Sequence, residues 1–190
     1  MEAYEAGERD FGESRVQELC AKHEALPKDI RWHFIGHLQT NKVRQIVPFV
    51  HLIHSVDSLR LLRVINEEGA RIGRVVDVLL EVHVAREETK SGFLPEELED
   101  VWKALPAFSY ARVRGLMTMA TNTDEEAEIH RCFRLVESQK SKVESGLSES
   151  HFGESGEWIL SMGMSDDFEL AIADGSNMVR IGTSIFGVRV

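Results

Sequence analysis

Short apolar runs alternate with amphipathic stretches along the chain. The runs Phe11–Glu13, Trp32–Gly36, Leu52–Val56, Val75–Val84, Val113–Met119, Trp158–Met162 and Met178–Ile181 read as strands. Between them, Leu98, Val101, Trp102 and Leu105 follow the i, i+3, i+4, i+7 spacing of a helix face. Ile129, Cys132, Phe133 and Val136 repeat it, with Thr123 and Glu126 placed as a capping box. Strand–helix alternation of this kind builds a parallel sheet covered by helices. Seven strands fall one short of a closed barrel. The opening Met1–Gly7 reads as the tail of a helix stopped by Gly7, and a helix tail implies a strand before it. The predicted architecture is an α/β fold, a single (β/α)8 TIM-type barrel domain over residues 1–190 that lacks its first strand and the preceding helix.

The segment after the last two strands carries the densest candidate chemistry. Ser165 followed by Asp166 and Asp167 reads as a helix start, and Gly175 as its stop. Gly182-Thr183-Ser184 then follows the strand ending at Ile181. In α/β barrels a phosphate commonly sits after the last two strands, where small residues leave backbone N–H groups and hydroxyls free to surround it. Such turns are also ordinary connections, so this pattern alone leaves phosphate binding and simple chain reversal both open.

The net charge of −10 and the lack of a basic run argue against a nucleic-acid partner. Cys20 and Cys132 are far apart and read as reduced thiols in a cytoplasmic protein, Cys132 on an apolar helix face. No apolar stretch is long enough to span a membrane, and no signal-peptide pattern occurs. A monomer and a weak homodimer both fit, since no apolar surface patch stands out by pattern. His33 and His37 have no third metal ligand nearby. His33 is expected to alternate inward and line the pocket floor, His37 to stand by the mouth, and Gln39, Asn41 and Lys42 to meet a ligand or start the next helix. Met117 and Met119 are expected to fill the barrel interior. Glu13 either orients its neighbours or ends its strand as a polar terminus.

Six ordered motifs carry a resemblance that spans nearly the whole chain: FGESRVQEL, RWHFIGHLQTNK, IHSVDS, EETKSGF, VRGLMTM and SMGMSDDFELAI with its following MVRIGTSIFG. Together they resemble the pyridoxal phosphate (PLP) homeostasis proteins, relatives of the alanine racemase N-terminal domain. The resemblance implies a fold-type III barrel that binds PLP, with other B6 vitamers as further candidate ligands, in vitamin B6 and amino-acid homeostasis without established catalysis. It implies that Arg180 faces the pyridine nitrogen, an alternative being a salt bridge. Gly182 and Thr183 would hold the phosphate, with Ser165 on the second phosphate turn unless it is only a helix cap, and Ser161 a weaker candidate.

Ser14 stands where the family often has an Asn toward the ring hydroxyl, and His83 where it often has another Asn. Lys90, in the EETKSG loop, could dock a phosphate or be a solvated charge. The family's first strand ends in a Ser-Lys-Thr-Lys-like motif whose first lysine forms the Schiff base with PLP. No such motif occurs here, and Lys22, Lys28, Lys42, Lys90, Lys103, Lys140 and Lys142 lie in other contexts. A low-activity racemase of the same fold, or a non-covalent phosphate-ester binder, are the competing readings. A racemase needs an opposing base, typically a tyrosine from a second domain, and this chain has only Tyr4 and Tyr110. A barrel short of one strand leaves two exposed edges, so the isolated polypeptide is expected to be marginally stable or poorly soluble. A cooperative melt at an ordinary mesophilic temperature would contradict this.

Overall fold

The computed structural model describes residues 1–85, 91–146 and 158–187, with side chains omitted from 141 to 146. Its frame is six parallel strands in sequential order: β1 Asp10–Glu13, β2 Arg31–Phe34, β3 Leu52–Val56, β4 Val76–Glu81, β5 Ala111–Met117 and β6 Ile159–Ser161. The helices are α1 Glu2–Glu5, α2 Val16–Ala25, α3 Val43–Ile46, α4 Leu59–Ile72, α5 Leu98–Ala104, α6 Glu126–Gly146, α7 Phe168–Ala173 and α8 Thr183–Phe186. Where the pattern predicts a seventh strand over Met178–Ile181, there is one isolated bridge, between Ser161 and Met178. That segment bonds to β6 on one side only, through Met178 N to the Leu160 carbonyl and Met162 N to the Met178 carbonyl. Among the described residues neither its other side nor the outer side of β1 meets a strand, so the sheet is open, a half-barrel.

Alternation along the strands sorts the side chains between two faces. Trp32, Phe34, Ile53, Val78, Leu80, Val113, Leu116 and Leu160 pack under the helices with Leu19, Leu62, Ile65 and Phe133. A second, smaller cluster of Leu52, Leu79 and Met117, joined by Ile159 and Met178, marks the inner face. Cys132 is fully buried in the helix-side core.

The ends of several elements depart from the apolar pattern. The run Val75–Val84 is a strand only over Val76–Glu81, because Val82 bridges to Phe93 and His83 N donates to the Phe93 carbonyl. The helix expected at Ser165 begins at Phe168. Ser165–Asp167 forms a turn closed by Met164 N donating to Asp167 Oδ1 at 2.6 Å. Gly115 is fixed by the close pairing of β5 with β6: its φ is +153°, and a Cβ there would lie 1.9 Å from the Ile159 carbonyl oxygen. Gly115→Ala is therefore expected to cost about 3 kcal/mol or more, read as a fall in midpoint on chemical denaturation. An unchanged midpoint would mean that β5 and β6 can separate without penalty.

Candidate functional site

Polar side chains form a row across the inner face, from Ser161 at the C-terminal end of β6 to Asp10 at the N-terminal end of β1. Buried polar groups need partners, and here they find one another across the sheet. Arg180, partly buried, donates through Nη1 to the Ser161 carbonyl at 2.7 Å and to Ser161 Oγ at 2.8 Å, and through Nη2 to the Thr118 carbonyl at 2.9 Å. Ser161 Oγ lies 2.9 Å from His54 Nδ1, and His54 Nε2 lies 2.9 Å from His33 Nδ1. His33 Nε2 lies 3.1 Å from Asp10 Oδ1, whose carboxylate also takes two hydrogen bonds from Arg31.

Desolvation dominates the electrostatics. It lowers the Arg180 guanidinium to about 10, against the opposing pull of Asp167 and Glu81. His54 is driven well below its ordinary value and His33 is lowered, in both cases chiefly by burial. Asp10 is held down at about 2, chiefly by its hydrogen bonds from Arg31. Glu81, at the inner end of β4, is raised to about 7 by burial and by the negative charge of Asp57.

Beside this row, Ser165 Oγ accepts from Gly182 N and from Ser184 N, each at 3.4 Å. Two backbone donors thus converge on one oxygen, in the turn that follows Arg180, whose guanidinium hydrogen bonds among the described residues all go to uncharged oxygens. That arrangement suits an anionic ligand, with phosphate-type oxygens for the converging N–H groups.

The family model of the alanine racemase N-terminal domain matches residues 1–190. The pyridoxal phosphate homeostasis protein of Aquifex aeolicus is 40% identical over 191 residues, 99% of this chain and 80% of that protein. Its counterpart in Schizosaccharomyces pombe is 38% identical over 192 residues, 100% of this chain and 78% of that protein. PipY of Synechococcus elongatus, solved with PLP bound, superposes with a TM-score of 0.86 at 35% identity, covering 98% of this chain and 85% of PipY. The alanine racemase of Streptomyces coelicolor, at 20% identity and TM-score 0.77 over 98% of this chain and 49% of its own, shares the fold. The chain belongs to the alanine racemase N-terminal domain family, among its pyridoxal phosphate homeostasis proteins.

Within that family frame the residues singled out in the sequence separate into groups. Arg180, Ser161 and His33 meet in the row just described, with Met117 buried beneath them on the inner face. Arg180 does not lie in a strand but in the one-sided segment after the Met178 bridge. Ser165 is not a helix cap, because its hydroxyl is turned to Gly182 and Ser184; Thr183 stands exposed between those two donors. Ser161 Oγ is taken up by Arg180 and His54, apart from the Gly182 turn.

The other residues singled out are placed as follows. Met119 does not fill the interior but stands exposed beyond the end of β5. His83 lies past the end of β4, half-buried, with no hydrogen-bond partner for Nδ1 among the described residues. Glu13 faces the helices and pairs with Lys22 of α2, while His37 is an exposed loop residue paired with Asp57 at 3.3 Å. Ser14 is exposed just after β1, and Gly36 packs so close that a Cβ there would overlap its carbonyl. Lys90 lies outside the described residues.

Asp10, His54 and Glu81 were not singled out by sequence reasoning. The signal was present at His54, a lone imidazole in the apolar run Leu52–Val56.

Two opposed pH dependences follow. Burial raises Glu81 from 4.5 to about 7, so the stability it leaves the fold is complete below 4.5 and falls as pH rises through 7, by roughly 3 kcal/mol. The lowered histidines His33 and His54 act in reverse, their contribution being present above 6.5 and lost as pH falls. Glu81→Gln is expected to raise the melting temperature at pH 8 relative to the parent and to change it little at pH 4.5. An equal shift at both pH values would contradict a carboxyl with a raised pKa.

Proposed function

We propose that this chain is a PLP-binding protein of vitamin B6 homeostasis, acting in the cytoplasm as a carrier or buffer and not as a catalyst. The observation that carries the reading is Arg180, a partly desolvated cation whose hydrogen bonds among the described residues go to uncharged oxygens, two residues before a turn whose backbone donors converge at Ser165. Similarity over nearly the whole of this chain to pyridoxal phosphate homeostasis proteins, and to PipY solved with PLP bound, supports it.

When bound, PLP supplies a reactive aldehyde and an electron-withdrawing ring. The residues of this chain decide how strongly that ring draws electrons. Arg180 stays protonated at neutral pH even when lowered to about 10, so it offers hydrogen bonds to a ring nitrogen but no acceptor for a proton on it. Placed against a ring nitrogen, Arg180 would keep that nitrogen unprotonated and so would damp carbanion chemistry. Gly182 N, Ser184 N, Thr183 and Ser165 would hold the phosphate. The Schiff-base lysine expected from the family has no placement among the described residues.

A racemase reading requires a second proton-transfer group at the mouth. Tyr4 is hydrogen-bonded to Asp29, which precedes β2, and Tyr110 immediately precedes β5, so both lie at the opposite, N-terminal ends of the strands. Deuterium exchange at Cα of amino acids incubated with protein and PLP is the discriminating assay, and this account expects none above the rate of free PLP.

For the binding reading, PLP should raise the melting temperature and pyridoxal, which lacks the phosphate, should raise it less. Thr183→Val, on an exposed turn, should weaken PLP binding roughly five- to tenfold with no change in unliganded stability. Equal protection by PLP and pyridoxal would remove the phosphate site from Gly182 and Thr183.

A further inference from the structure

Four side chains link the rim of β1 to Arg180, and their donor and acceptor capacities can be counted atom by atom. Arg180 can only donate, so Ser161 Oγ accepts from it. The Asp10 carboxylate, clamped by Arg31, can only accept, so His33 must present Nε2–H to it. A neutral His33 then has a bare Nδ1, and His54 must donate its Nε2–H to that nitrogen across 2.9 Å. His54 is left with a bare Nδ1, and the hydrogen that reaches it among the described residues is that of the Ser161 hydroxyl at 2.9 Å. With both imidazoles neutral, this single arrangement satisfies every atom, and it runs one way: Arg180 to Ser161 to His54 to His33 to Asp10.

We propose that Asp10, His33, His54 and Ser161 form a hydrogen-bond relay of fixed direction that positions Arg180 for the cofactor ring. The relay turns the Ser161 hydrogen toward His54 and away from the guanidinium, so the oxygen meets Arg180 with lone pairs only. A freely rotating hydroxyl would spend part of its time pointing its own hydrogen at the cation. The negative end of the relay is Asp10, on β1, held apart from Arg180 by three intervening side chains. Arg180 is thereby steadied without a carboxylate among the described residues touching it, which would occupy the N–H groups needed for a ligand. Asp10, His33, His54 and Ser161 are positioning residues in this scheme, since each acts on Arg180 through its neighbour. Cooperative polarisation along such a chain strengthens each link.

The inference rests on the PLP reading for its purpose but not for its test. Long-range ¹⁵N–¹H spectra of the histidine-labelled, unliganded chain at pH 7.5 report the tautomer of each ring directly. The relay requires His33 and His54 both to be neutral with the hydrogen on Nε2. Either ring carrying its hydrogen on Nδ1, or carrying two, would overturn the proposed direction.

Asp10→Ala gives a second, remote readout. Without the acceptor-only carboxylate, His54 should populate both tautomers, although two hydrogen bonds separate it from the altered residue. A His54 that keeps one Nε2–H tautomer in a folded Asp10→Ala variant would show that Asp10 does not set the direction. Should that variant fail to fold, the tautomers of the parent decide alone. Ser161→Ala should then weaken PLP binding roughly tenfold, and unchanged affinity would separate the relay from the ligand. If the parent chain shows the required tautomers yet binds no PLP, it is the PLP reading that fails and not the relay.

Discussion

A guanidinium withdrawn from water has to be solvated by something, and in this fold two carbonyls and one hydroxyl do it. The Ser161 carbonyl, Ser161 Oγ and the Thr118 carbonyl all lie at the ends of neighbouring strands, so Arg180 is held only if β5, β6 and the segment after Met178 keep their register. Gly115 permits the close approach of β5 to β6 that brings those acceptors together. The carbonyl of Ser161 serves twice, accepting from Arg180 and from Thr118 N, so strand pairing and site are built from the same atoms.

The two faces of the sheet divide the work. Apolar side chains under the helices supply the large core, while the inner face carries a small apolar floor and above it a row of polar groups. Removing those groups from water is what moves Arg180, His33 and His54 down and Glu81 up. The inner face is therefore expensive to build, as expected of a surface selected for a ligand and not for stability alone.

Much of this was legible in the chain. Six of seven apolar runs are strands, because a strand buried on both faces reads as continuous Val, Ile and Leu. Strand ends were less legible: Val82 is as apolar as the strand before it, yet it bridges to Phe93 and His83 N donates to the Phe93 carbonyl, a pairing that composition does not carry. Ser165 misled for a local reason. Ser-Asp-Asp looks like a cap on its own, but Gly182 and Ser184, seventeen and nineteen residues later, claim the hydroxyl. Arg180 and Gly182 were found through a family motif, whereas His33 and His54 are partners only because β2 and β3 lie side by side. No spacing rule joins residues 21 apart.

The most direct test of the account is a crystal structure of this chain grown with PLP. The account predicts the ring nitrogen against Arg180, with Ser161 and Thr118 still holding the guanidinium, and the phosphate on the backbone of Gly182 and Ser184 with Thr183 beside it. PLP seated elsewhere, or Arg180 swung out to a carboxylate while the ring binds without it, would contradict the claim that this cation is the centre of the site.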